Sequence, residues 1–189
     1  MVWRRLLALV AAVVVIALSW SGVADHPATG RGGSAAVAFR ELQWHELIPS
    51  EWDPTKRFRS LNLETLRDGD PQTEQLLLDM RATWDNAPTI AALNGEAVRL
   101  AGYVVPLEGT SAGLKEFLLV PYFGACVHSP PPPANQIVHV IADRAAAGLQ
   151  TMERVSVSGT LKTARQASAM GVSGYRLSAT DVRRQPGPR

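Results

Sequence analysis

The chain has 189 residues, 46% hydrophobic and 19% charged, which suits one modest globular domain and excludes collagenous, disordered and polytopic membrane chains. Its formal charge is +2, but the excess resides in Arg4 and Arg5; from residue 25 onward seventeen basic side chains meet seventeen acidic ones, so a nucleic-acid partner is not expected. The single cysteine, Cys126, excludes an internal disulfide framework and any C-x-x-C redox or zinc-ribbon site.

Residues 1–24 have the parts of a secretory signal. Arg4-Arg5 precede an apolar run from Leu6 to Leu18, and small residues follow at Gly22 and Ala24. The run is shorter than the roughly 20 residues of a comfortable spanning helix, so cleavage is expected, with an uncleaved N-terminal anchor as the alternative. No cysteine near residue 24 offers lipidation. Either reading places the rest of the chain in the periplasm or otherwise outside the cytoplasm. Residues 25–38 are rich in Gly, Ala and Ser and read as a flexible linker.

A single domain is expected over 39–182. Trp44, Leu47, Ile48 and Trp52, cut by Pro49 and Pro54, suggest a short helical turn and an irregular arm. Residues 71–85 form the best helix: Pro71 suits a first turn, Leu76, Leu77, Met80 and Trp84 follow near-helical spacing, and Pro88 bars continuation. Five short strands follow at 97–105, 117–120, 137–141, 155–161 and 175–182, with Gly102 read as a bend or bulge. Arg165, Ser168 and Gly171 fall in the loop between the last two strands, and 183–189 read as a frayed, disordered tail. The pattern predicts a mainly β fold with an N-terminal helix, a small OB-like β-barrel, with a β-sandwich as the competing architecture.

The most informative segment is 121–136. Pro130, Pro131, Pro132 and Pro133 form a stiff polyproline II rod without backbone donors, which fixes the preceding Cys126 and His128 relative to Asn135 and Gln136. Cys126 and His128, two apart, leave one face if extended. A thiolate beside an imidazole suits zinc or copper(I). The same pair suits a nucleophile and its base, or a buried, inert cysteine beside a hydrogen-bonding histidine. Two ligands do not complete a zinc site; His139, His45 or Glu46 are the candidate further ligands.

Three stretches, Arg99–Glu108, Glu116–His128 and Pro130–Gln136, together resemble the bacterial family called domain of unknown function 3299, as do Trp44, Leu47, Pro49 and the segment from Ala87 to Gly95. The resemblance covers roughly residues 40–182, and the string G-A-C-x-H-x-P-P-P-P-x-N-Q is specific. It implies an exported or lipid-anchored protein. Because some members are encoded beside ABC-transporter components, including zinc-responsive clusters, it also implies a periplasmic accessory of a membrane transporter or envelope complex. It puts weight on Cys126, His128, Asn135 and Gln136 and implies no settled activity. The leader departs from the family in lacking a lipobox cysteine.

Other features are blander. Trp44, Trp52 and Trp84 are expected as core rather than as a stacking platform. Glu108 and Glu116 flank a glycine-containing hairpin as exposed acids. No G-x-S-x-G, P-loop or dinucleotide fingerprint is present, so an enzyme is not expected.

Overall fold

The structure is a computed structural model, and it describes residues 38–56, 58, 59, 67, 69–110, 112–126 and 131–186. The expected leader, most of the linker and residues 187–189 lie outside the described residues. In chain order come β1 (Arg40–Leu42), a 3-10 turn at Trp44–Leu47, helix α1 (Pro71–Asp85) and a second 3-10 turn at Ala91–Leu93. β2 (Ala97–Thr110), β3 (Gly113–Val120), a 3-10 turn at Ala134–Gln136, β4 (Val138–Ala146), β5 (Arg154–Ser168) and β6 (Gly171–Arg184) complete the fold.

One sheet closes on itself. The strand order is β1-β2-β3-β4-β6-β5, and β5 pairs back onto β2. β2 is long enough to serve two neighbours: Ala97 to Tyr103 pair with β5, and Tyr103 to Thr110 pair with β3. β4 and β6 run parallel from Val138↔Tyr175 to Ala142↔Ala179, and the other barrel pairings are antiparallel. This is the OB-like five-stranded barrel with β1 added in parallel along β2. A β-sandwich would need two facing sheets, and closure through β2–β5 removes that alternative.

The side-chain period of two fills the barrel. Val155, Val157 and Leu161 on β5 and Tyr175, Leu177 and Ala179 on β6 point inward to meet Val98, Leu100 and Phe117. Two glycines permit close approach. A Cβ on Gly159 would stand 2.1 Å from the Ser178 carbonyl oxygen; one on Gly102 would stand 2.7 Å from the Val120 oxygen and 2.9 Å from Trp44 Cζ2. Gly102 is therefore no bend: it pairs in register with Val155, and it is glycine because the Val120 carbonyl, Leu119 and Trp44 all close in on it. The register shifts fall elsewhere, around Pro106–Gly109, Ser158/Gly159 and Thr163/Gln166.

The β5–β6 hairpin is longer than its sequence pattern suggests. Arg165 and Ser168 lie in β5 and Gly171 in β6, not in a loop, because Gln166, Ala167 and Ser168 pair with Ser173, Val172 and Gly171. Arg183 and Arg184, expected in a frayed tail, continue β6 opposite Ser156 and Val155.

The segments before β2 are pinned to the barrel by specific bonds. Trp44 Nε1 donates to the Ala101 carbonyl at 2.7 Å. The buried Tyr175 hydroxyl donates to the Leu47 carbonyl at 3.0 Å and accepts from Ile90 N–H at 2.7 Å, so one phenol on β6 holds both the arm and the connection into β2. Helix α1 begins at Asp70, whose side chain accepts from Gln72 N–H at 3.2 Å, with Pro71 in the first turn. It ends at Asn86, and Arg165 donates to the last carbonyl, that of Asp85. Of its residues only Thr73 is buried; Leu77 and Leu78 are exposed, and Trp84 lines a groove with Pro54 and Phe58 instead of entering the core.

Tyr175→Phe removes the pin without changing volume. Leaving Ile90 N–H and the Leu47 carbonyl without their partner is expected to cost about 1–3 kcal/mol. A lowered urea midpoint with an unchanged m-value checks it; an unchanged midpoint refutes the role of the hydroxyl.

Candidate functional site

Strand alternation gives β2 and β3 a second apolar face, outside the barrel, which Ile137 joins from just before β4. Val105, Leu118, Val120 and Ile137 are buried there, against Ala125 and Met152, with Tyr103, Leu107, Cys126 and Met170 packed around them. The segment after β3 and the tip of the β5–β6 hairpin cover this face. A Cβ on Gly171 would stand 3.0 Å from Pro131 Cβ and 3.1 Å from Ile137 Cδ1, so the hairpin tip rests on the proline rod. Pro133 has φ −57° and ψ 152°, the polyproline II region. Pro132 is buried and Pro131 half-buried, while Pro130 lies outside the described residues.

Cys126 does not sit in extended backbone. Its φ is +65°, the left-handed region that β-carbon-bearing residues avoid, so the expectation that residues 126 and 128 share one face of a strand does not apply. His128 lies outside the described residues. The half-buried Cys126 thiol belongs to the apolar cluster, and burial pushes its pKa up to about 11, with Arg81 pulling the other way. That shift is opposite to the depression a reactive nucleophile needs.

Asn135 and Gln136 are structural staples in this arrangement. Asn135 Nδ2 donates to the Pro88 carbonyl at 3.1 Å, and Gln136 Nε2 donates to the Trp44 carbonyl at 2.9 Å. The 3-10 turn after the prolines is thereby tied to both N-terminal segments. Asn135 Oδ1 is buried without a hydrogen-bond partner among the described residues.

His139 is buried on β4, and both ring nitrogens are engaged: Nδ1 contacts Gln166 Oε1 at 3.1 Å and Nε2 contacts Glu116 Oε1 at 2.6 Å. Arg176 Nη2 donates to the same Gln166 oxygen at 2.8 Å, which fixes that atom as an acceptor. His139 Nδ1 therefore carries a proton. The Nε2–Glu116 contact is an ion pair when the ring carries a second proton. His139 can ligate a metal only by giving up one of these bonds. Among the described residues no group of three or more His, Cys, Asp or Glu side chains is placed to hold a metal ion. His45 and Glu46 sit on the Trp44–Leu47 turn, where Glu46 pairs with Arg40 at 2.7 Å. Glu108 stands opposite Glu116 across β2–β3 and is exposed.

The residues that complete this region without a sequence signal are Met152, Met170, Gln166 and Arg176. Gly124 N–H donates to Met152 Sδ at 3.1 Å, which seats the loop before Cys126 on the methionine. Beside it Tyr122 and Phe123 project outward, 48% and 66% exposed, Phe123 making an edge-to-face contact with Tyr103 at 6.0 Å.

The family model described as "Protein of unknown function (DUF3299)" matches residues 44–184. A crystal structure of a DUF3299 family protein from Pseudomonas aeruginosa is 36% identical, covering 80% of this chain and 99% of that one with a TM-score of 0.62. A small single-stranded DNA-binding protein from Streptomyces coelicolor shares 17% identity over 49% of this chain and 95% of its own, with a TM-score of 0.31, too low to carry an argument. No curated protein matches.

Two outcomes follow from the geometry. With its pKa raised from 9.0 to about 11, native Cys126 is expected to alkylate about 100-fold more slowly at pH 8 than the unfolded chain, the rate rising tenfold per pH unit toward pH 11. Equal rates in native and urea-unfolded protein refute the burial. The same shift has a stability sign: the folded state holds the proton more tightly, so its contribution is full below pH 9 and is lost as pH rises through about 11. For the buried pair, Glu116→Leu leaves His139 Nε2 unpaired and is expected to cost about 1–3 kcal/mol. Glu116→Gln is expected to restore most of it, because an amide N–H donates to neutral Nε2. Indistinguishable urea midpoints for the Leu and Gln variants refute this arrangement.

Proposed function

Because the chain belongs to the DUF3299 family over residues 44–184, we propose that it is an exported, non-enzymatic envelope module. In this reading the barrel is a rigid platform, and the loop that follows β3 engages an integral-membrane partner, with an ABC-type transporter as the candidate. The observation that carries the reading is the exposure of Tyr122 and Phe123 beside Gly124, which is fastened to the barrel. Gly124 is bonded to Met152, Pro131 lies under the hairpin tip, and Gln136 is bonded to Trp44. Backbone held by these bonds lowers the ordering cost of binding, and exposed aromatic anchors of this kind dominate interface energetics. The signal-like residues 1–24 support placing the module at the outer face of the cytoplasmic membrane, where such a partner is within reach.

A zinc site on Cys126, His128 and His139 receives less support. It requires His139 to leave Glu116 or Gln166, and it requires a thiolate where burial favours the thiol. A thiol-dependent enzyme is disfavoured by the same raised pKa.

Two measurements test the proposal. Fusing alkaline phosphatase after residue 186 is expected to give an active, periplasmic enzyme; activity only in lysed cytoplasm refutes export. A photo-crosslinking residue in place of Phe123 is expected to form adducts with an integral-membrane protein, identified by mass spectrometry. The same residue in place of the exposed Lys162 on β5 is expected to form none. Equal labelling from both positions, or adducts with soluble proteins alone, overturns the docking role.

A further inference from the structure

Helix α1 buries little of itself. Of its fifteen residues only Thr73 is buried, although helices of this length draw most of their stability from packing an apolar face. Leu76, Met80 and Trp84 line the groove shared with Pro54 and Phe58, which accounts for one side of the helix. Beside that groove Leu77 and Leu78 are 59% and 64% exposed. They belong to a stripe that runs Glu74, Leu77, Leu78 and Arg81 at positions i, i+3, i+4 and i+7, which a helix places on one face. Arg81 is steadied by Asp85, its Nε donating to Asp85 Oδ2 at 3.0 Å, and its side chain is 40% exposed. Glu74 is exposed and has no ion-pair partner among the described residues.

We infer that two copies of the chain pair through this stripe, α1 of one lying antiparallel to α1 of the other across a two-fold axis between Leu77 and Leu78. The order of the side chains selects a second copy as the occupant. An acid at one end, a base at the other and two leucines between them are self-complementary when the helix is turned end for end. The two-fold sets Leu77 on Leu78 twice and Glu74 against Arg81 twice. An anionic lipid surface would instead repel Glu74, and it would call for a row of bases that the stripe lacks. From residue 25 onward seventeen basic side chains meet seventeen acidic ones, so no net charge keeps the copies apart. The leucines supply affinity by leaving water; the charge pairs, exposed and modest in energy, fix the direction. At the stripe's ends Asp85 would approach Asp70, so the helices cross over about two turns and do not lie flush. A contact of that size gives weak association.

Sedimentation velocity of the full chain between roughly 10 µM and 1 mM is the test. Wild type is expected to pass from monomer to dimer over that range. Leu77→Ser/Leu78→Ser is expected to raise the dissociation constant at least about tenfold, with unchanged circular dichroism. Glu74→Arg and Arg81→Glu each bring like charges together twice, and each alone is expected to weaken pairing to a similar degree. Mixed one to one, the two single variants are expected to regain it, because every charge pair across the axis is then opposite in sign. Association through any other surface does not respond to that mixing, so the mixture decides if the leucine variant misfolds. Tyr122→Ser/Phe123→Ser is expected to pair as wild type does, which separates this contact from the docking loop. A wild type that stays monomeric to about 1 mM overturns the proposal, as does pairing indifferent to the two leucines or single variants that fail to restore each other. Binding of the monomer to phosphatidylglycerol vesicles through Leu77 and Leu78 assigns the stripe to a membrane and overturns it as well.

Discussion

Closure of the barrel rests on β2. Its fourteen residues must serve β5 with their first half and β3 with their second, and Tyr103 is paired on both sides, with Arg154 and with Val120. The change of partner is followed by irregularity where it costs least: Pro106 has no N–H to give to a ladder, and the register shifts begin there. Closing the sheet removes the free edges that open β-sheets must otherwise protect, leaving only the short β1 outside the ring. The N-terminal arm relies on the same strand, since Trp44 lies against Gly102 and bonds to Ala101.

A closed barrel has an inside and an outside, and β2 and β3 are apolar on both. The inside is one continuous core. The outside would be exposed if the chain did not fold back across it, first with the loop that carries Cys126 and the prolines, then with the tip of the β5–β6 hairpin. The unusual segment is thus a cover whose inner surface carries sulfur and whose outer surface carries Tyr122 and Phe123. Its far end, after Pro133, is tied down by side-chain amides at Asn135 and Gln136. The buried His139–Glu116 pair stands on the same outer face of β3 and β4, and its bond to Gln166 fastens the distal half of the hairpin to the sheet.

Most of the architecture was legible in local pattern, because burial on one face enforces period. Pro71, the leucines that follow and Pro88 marked α1, and the alternation through Val155–Leu161 and Tyr175–Val182 marked the cores of β5 and β6. Their extensions were not legible: Lys162 to Ser168 is mostly polar or small, and it is a strand only because β6 pairs with it. β1, three residues long, has no pattern of its own. The candidate site shows the same division. Cys126, Asn135 and Gln136 stood out as an improbable string, but the backbone of Cys126 is left-handed, and no residue spacing reveals that. Alternation on β4 sets His139 apart from Val138 and Val140, yet its partner Glu116 depends on a β3–β4 register that contains an irregularity. Met152 and Met170 lie more than 25 residues beyond Cys126, in turns without any local signature.

Two apolar clusters on opposite faces of one sheet differ in what holds them. The inner one is ringed by the backbone ladders of the five barrel strands and capped by Leu42, Leu47 and Leu93 from the segments before β2, so exposing most of it requires breaking the ring. The outer one is enclosed by a loop, a proline rod and a hairpin tip, none of which belongs to the barrel closure. The cover can therefore lift as one local opening while the ring stays shut, at a free energy well below that of global unfolding. Amide protons of the ring and of the cover then exchange with solvent on separate timescales.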